Sequence, residues 1–189
     1  MIFVLLCINF AISWFNCYAV GGMWAESKAL GGWPRLLAWC GAIQSAIGFS
    51  SVIGFALGAA LHAFGYLPPS VAKAAVSLWY LLIIIPAIGT GLIITIESWI
   101  IAFRERSLLN MGTAAYNTFA QIHNMYGAID GIGDALSGVG DLFFSDSDDD
   151  APVLLLTIVL VGAALFGGIF LTYALIRKYS GRLPVPSRA

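Results

Sequence analysis

The chain has 189 residues, 60% of them hydrophobic and 10% charged, with a formal net charge of −1 at pH 7. A globular domain carries about 25% charged residues, so this composition excludes an ordinary soluble domain and points to a membrane protein. The near-neutral charge gives no basis for nucleic-acid binding. Three cysteines (Cys7, Cys17 and Cys40), odd in number and without zinc spacing, imply neither a disulfide framework nor a metal site.

In chain order, the first apolar run covers residues 2–20, close to the roughly 20 residues that span a bilayer core. It has no basic flank and no small-x-small cleavage pattern, so it is expected to stay as a first span. The connector 21–35 carries Gly21-Gly22, Gly31-Gly32 and Pro34 as turn signals. A second run, 36–67, is longer than a span requires and must tilt, kink or project. Within it Gly54 and Gly58 form a GxxxG pair, a motif that lets helix backbones approach closely. Leu67-Pro68-Pro69-Ser70 ends it with a tight turn.

The third run, 74–103, contains Pro86 followed by Gly89-Thr90-Gly91. Pro86 removes one backbone hydrogen bond and crowds the Leu82 carbonyl, predicting a helix kink. That kink is either packed or opens carbonyls to an ion path. Glu97 is the only acid inside an apolar run, and an intramembrane acid is a functional candidate. Arg104 lies two turns further on, so the structural alternative sets Glu97 at the membrane interface. Trp14, Trp24, Trp33, Trp39 and Trp99 are expected near one membrane face, as an aromatic belt.

Residues 107–144 predict a long amphipathic helix. An apolar stripe runs Phe119, Ile122, Tyr126, Ile129, Gly133, Leu136, Gly140, Phe143 in steps of three and four. Asn110, Asn117, Gln121 and Asn124 fall on the opposite face, and Ser107 is the expected N-cap. No charged residue lies between Arg106 and Asp130. Such a helix either lies flat at the interface or crosses with its polar side sheltered by water or neighbours.

Basic residues prefer the cytoplasmic ends of spans. With four crossings the nine cations divide almost evenly. With 107–144 as a fifth crossing and the N-terminus outside, only Lys73 is external, while Lys28, Arg35, Arg104, Arg106 and the four cations of the tail 177–189 are all cytoplasmic. A last apolar run, 151–176, precedes that tail. The acidic stretch 145–150 lacks the glycine turn and closing glutamate of a calcium loop.

The expected fold is therefore an all-α integral membrane protein, a single domain of four transmembrane helices plus one long interfacial or pore-lining helix. The expected function is a subunit of an oligomeric channel or translocation pore. Asn110, Asn117, Gln121 and Asn124 would give it a neutral lining, with Asp130 and Asp134 nearer the outer mouth. The alternative is a non-conducting structural subunit of a larger membrane assembly such as a secretion, conjugation or viral complex. His62 and His123 have no acidic neighbour at helical spacing, and no catalytic, cofactor or metal constellation is recognisable, so an enzyme is not expected. The expected partners are the lipid bilayer and either further copies of the chain or other membrane subunits. The expected location is a bacterial inner membrane with the C-terminus in the cytoplasm.

Overall fold

The computed structural model describes residues 2–143 and 150–180. The described residues form five α-helices and no strand: α1 (Ile2–Leu30), α2 (Gly32–Ala63), α3 (Pro69–Glu105), α4 (Leu108–Phe143) and α5 (Asp150–Ser180). Four of them, α1, α2, α3 and α5, are long and apolar enough to cross a membrane. Asp146, Asp148, Asp149, Arg182 and Arg188 lie outside the described residues.

Two of the expected turn signals lie inside helices, Gly21-Gly22 in α1 and Pro34 in the first turn of α2. Gly21-Gly22 does not turn; α1 continues through it to Leu30. The reason is packing, since Gly21 is buried and a methyl there would sit 2.6 Å from Tyr179 Cβ of α5. The chain reverses instead at Gly31 and Gly32, whose φ angles of 57° and 56° are open to glycine at little cost. Between α2 and α3, Pro68 and Pro69 act as expected, with Pro69 opening α3 where its missing N–H is harmless. Only Arg106, in a left-handed conformation, and Ser107 separate α3 from α4. Ser107 Oγ accepts the Leu109 N–H at 3.2 Å, as an N-cap does.

Each consecutive described pair from α1 to α4 runs antiparallel, and α5 runs parallel to α1. Ser13 of α1 meets Gly48 of α2 while Val20 meets Gly41. Ser50 of α2 bonds Trp79 of α3, Gln44 bonds Ala87, and Trp33 bonds Glu97. Tyr179 of α5 reaches Trp14, Tyr18 and Gly21 of α1.

Helices α1, α2 and α5 make the tightest unit. Its core is Cys17, Val20, Ala38, Phe49, Leu175 and Ile176. Backbones come close at Gly168 of α5, where a Cβ would lie 2.5 Å from the Ala46 oxygen and 2.7 Å from the Ser50 nitrogen. Backbone faces backbone there, the usual way membrane helices gain dispersion contacts. Of the GxxxG pair, Gly54 packs on Ala164 of α5, whereas Gly58 has only Leu67 within reach.

Helix α4 is held almost wholly by α3, with a slight touch on α5 and none on α1 or α2. It follows α3 from Asn110, which bonds Glu105 at 2.7 Å, to Gly138, which lies against Ser77. That is about 42 Å of parallel axes at 1.5 Å per residue, more than the roughly 30 Å of a bilayer core. The seam on α4 repeats every seven residues. Ala114, Gln121, Ala128 and Ala135 are buried, flanked by Asn117, Gly131 and Gly138. Small residues at these positions bring the axes close. The apolar stripe points the other way: Phe119 is 71% and Ile129 76% exposed. The polar and small side of α4 is thus packed and the greasy side is open.

Candidate functional site

The sequence-derived candidates fall into three places. The first is the α3–α4 seam, which takes Asn110, Asn117 and Gln121. Asn117 Nδ2 donates to Ser98 Oγ at 2.6 Å and Trp99 Nε1 donates to Thr118 Oγ1 at 2.9 Å. Gln121 is only 4% exposed and donates to the Ile88 carbonyl at 3.0 Å. Its amide lies over Gly91, so close that any Cβ there would collide with it. These side chains join two helices of one chain, so they do not form an open lining.

The same seam contains Pro86, at the middle of α3. Three successive carbonyls from Pro86 onward accept side-chain donors. Thr90 Oγ1 bonds the Pro86 oxygen at 2.6 Å, Gln44 Nε2 bonds the Ala87 oxygen at 2.9 Å, and Gln121 bonds the Ile88 oxygen. Gln44 also donates to Thr90 Oγ1 at 2.7 Å. This stretch of α3 is packed from α2 on one side and from α4 on the other.

The second place is the wide end of the bundle, where α1, α3 and α5 finish and α2 and α4 begin. Glu97 accepts a hydrogen bond from Trp33 Nε1 at 2.7 Å, beside the start of α2. A carboxylate facing a helix N-terminus is favoured by the partial positive charge there. Trp24 and Trp39 pack edge to face at 5.1 Å, and Trp99 stacks on Phe103 at 5.5 Å. Trp14 sits deeper, beside Ser13 at the level of Gly48, and its indole donates to Tyr179 Oη at 2.8 Å. Arg35, Arg104, Arg106, Arg177 and Lys178 belong to the helix ends at this face. Lys73 belongs to the opposite face.

The third place is a polar cleft of about 390 Å³ between α1 and α2 on one side and α3 and α4 on the other. Asn9, Ser13 and Asn16 enter it from α1, Gln44 and Ser51 from α2, Tyr80 from α3, and His123 and Asn124 from α4. All lie in the central part of their helices. The backbones of α1 and α4 stay apart across the cleft. Some of its polar groups are engaged: Asn9 Nδ2 reaches the Gly48 carbonyl at 3.4 Å, and Tyr80 Oη donates to the Gly127 carbonyl at 2.7 Å. Asn16, His123 and Asn124 have no hydrogen-bond partner among the described residues.

The α4 wall of this cleft continues outward. Tyr116, Ala120, His123, Gly127, Asp130 and Asp134 follow one another in steps of three and four, so they share a stripe. Asp130 and Asp134 are exposed. Tyr80 lies against Gly131, which sets Asp130 about 10 Å from the midpoint of α3 along its axis. Of the six α4 candidates, Asn124, Asp130 and Asp134 therefore border open space.

The α1 and α2 groups do not stand out among the sequence candidates, and two of them, Asn9 and Gln44, bond across helices. The signal was present as Asn9-x₃-Ser13-x₂-Asn16, a polar stripe at helical spacing inside a span. Among the described residues no group of His, Cys, Asp or Glu is gathered closely enough to hold a metal ion. Comparisons with protein-family models, with curated proteins and with solved structures give no match.

Proposed function

We propose that this chain is a subunit of an oligomeric membrane channel or translocation pore whose polar path runs along the cleft between α1–α2 and α4. The observation that carries the reading is the open stripe Asn16, His123, Asn124, Asp130 and Asp134 at the depth of the apolar helices. A central Asp facing lipid costs about 2.5–3.5 kcal/mol, and each unpaired amide adds to that. Water or a neighbouring subunit removes the penalty. A cleft that one chain leaves unclosed is naturally closed by another.

The path would be neutral at mid-depth and acidic towards one mouth. That arrangement favours cations weakly and has no ring of carbonyls to select among them. The seam between α3 and α4 supports a crossing α4, since a helix lying flat could not follow a span for about 42 Å. Five crossings put eight of the nine cations on one side, with Lys73 alone opposite. By the preference of basic residues that side is the cytoplasm, so the C-terminus is cytoplasmic, in keeping with a bacterial inner membrane.

A second reading, a structural subunit that conducts nothing, is favoured by Asn110, Asn117 and Gln121, which are spent on intrachain bonds. Substituted-cysteine accessibility separates the two. In a background with Cys7 replaced by Ser, cysteines at positions 16, 124, 127 and 134 should react with charged thiol reagents and block current in planar bilayers. Protection at all four positions, with no conductance, leaves the structural subunit.

A further inference from the structure

Building on the pore reading above, we propose that His123 is a pH sensor of the polar path, which excludes cations when the imidazole is protonated. His123 lines the cleft from α4, beside Asn124 and opposite Asn16 of α1 and Gln44 of α2. It is exposed, and neither ring nitrogen has a hydrogen-bond partner among the described residues. Its ring lies nearly parallel to that of Phe119, with centroids 6.5 Å apart and planes inclined by 10°. That contact orients the imidazole and uses neither nitrogen. A proton can therefore come and go without breaking a bond inside the chain.

Among the described residues no charged group stands near enough to pair with an imidazolium at this position. From α1 and α2 the polar groups of the cleft are amides and hydroxyls alone, and α5 does not line it. Helix α3 supplies one titratable side chain, Tyr80, whose hydroxyl donates to the Gly127 carbonyl one turn from His123. On α4 itself Asp130 and Asp134 follow at about 10 and 16 Å along the axis, and Tyr116 precedes at about 10 Å. Glu97 is turned to Trp33, and Lys73 lies beside Gly138, about 22 Å from the level of His123. Arg104 and Arg106 precede α4 and lie more than about 20 Å away along its axis.

Histidine is the side chain whose charge ordinarily changes between pH 5 and 8. With a neutral ring, a cation entering the cleft meets only dipoles until it reaches Asp130. With a charged ring it meets a like charge in the wall. Two unit charges about 5 Å apart repel enough to lower cation occupancy about four-fold in bulk water, and more than about a hundred-fold at an effective dielectric constant of about 20. Cation passage should thus fall at least several-fold. Protonation of Asp130 would act in the same direction, but by removing attraction instead of adding repulsion. The two differ in their effect on anions, which only an imidazolium attracts.

The test records current through the full chain in planar bilayers in KCl, at symmetric pH values from 8 to 5. Cation current should fall several-fold from pH 8 to pH 5, and the reversal potential in a KCl gradient should cross zero to the anion side. His123→Gln should abolish the pH dependence whatever current it carries, and His123→Arg should show the low-pH selectivity already at pH 8. The chain has one other histidine, His62 in the last turn of α2, and His62→Gln should keep the wild-type profile. A profile that survives His123→Gln overturns the proposal and, where Asp130→Asn removes it, passes the response to the carboxylate. The wild-type protein decides the matter where a variant fails to insert, since a reversal potential that moves only as far as zero marks an acid losing charge and counts against the histidine. A wild-type current that ignores pH overturns the sensor and leaves the pore. Absence of current at every pH overturns the pore reading, and the sensor with it.

Discussion

The Gln121–Gly91 contact gives the most decisive prediction. Gln121 is buried and its amide occupies the space a side chain at position 91 would need. Gly91→Ala must therefore displace the amide, because Gln121 Cδ is itself only 3.0 Å from the new methyl. Displacement breaks the bond to the Ile88 carbonyl and strands a buried amide, which costs about 1–3 kcal/mol. A net loss of about 2 kcal/mol is expected, since overpacking alone runs to about 1–3 kcal/mol. Gln121→Ala removes the bond and the obstacle together, and interhelical hydrogen bonds inside membranes average about 0.6 kcal/mol, so it should cost less than about 2 kcal/mol. In that background the added methyl at 91 meets no amide, and its own cost should fall below about 0.5 kcal/mol. The coupling energy of the cycle is then about 1.5 kcal/mol. Reversible unfolding in mixed detergent micelles, followed by circular dichroism, measures all four proteins. If Gly91→Ala costs the same with and without Gln121, the side chain does not lie over Gly91 and the α3–α4 register is wrong.

Other perturbations test the remaining elements. Gly168→Ala pushes a methyl into the Ala46 carbonyl and the Ser50 nitrogen, so it should lower stability by about 1–3 kcal/mol in the same assay. Gly162→Ala, with nothing within 4 Å of its Cβ position, should leave stability unchanged or slightly raised. Trp33→Phe removes the hydrogen bond to Glu97 and should loosen the α1–α2 corner, read as faster proteolysis near Gly31 and Gly32, while Glu97→Gln keeps an acceptor and should not. Membrane-impermeant labelling of single cysteines should find positions 107 and 180 on one side and position 66 on the other. Labelling of 107 and 180 from opposite sides would mean that α4 does not cross.

Much of the fold was legible because apolar length is a one-dimensional signal. Residues 36–67, 74–103 and 151–176 read directly as three of the long helices, and Pro68-Pro69 and Ser107 marked two boundaries. Gly21-Gly22 misled because glycine marks both turns and close helix contacts, and only the position of Tyr179 tells them apart. On α4 the sequence shows an apolar and a polar stripe but not which of them meets α3. In water a polar face is the outer one. Against α3 the same face, with Asn117, Gln121 and the small residues Ala128, Ala135 and Gly138, is the packed one. The seven-residue repeat of Ala114, Gln121, Ala128 and Ala135 carried that information in the sequence. The cleft could not be read at all, because its walls come from four helices and depend on the backbones of α1 and α4 staying apart.

Trp79 joins the two unfilled spaces of the molecule. It lines an apolar slot between α2, α3 and α5 and also, with Tyr80 and Ser51, the polar cleft. The hydrogen bond from its indole to Ser50 is one of the direct ties between α2 and α3, the others being Gln44 to Ala87 and Thr90 and Trp33 to Glu97. Two spaces of opposite polarity that share a wall suit different contents. Loss of the wall would let the apolar contents of one meet the amides of the other, which is unfavourable for both. Helix α3 is therefore the element on which the arrangement turns. It holds α4 by a seam of small residues and holds α2 by the side-chain bonds of Trp79, Gln44 and Trp33.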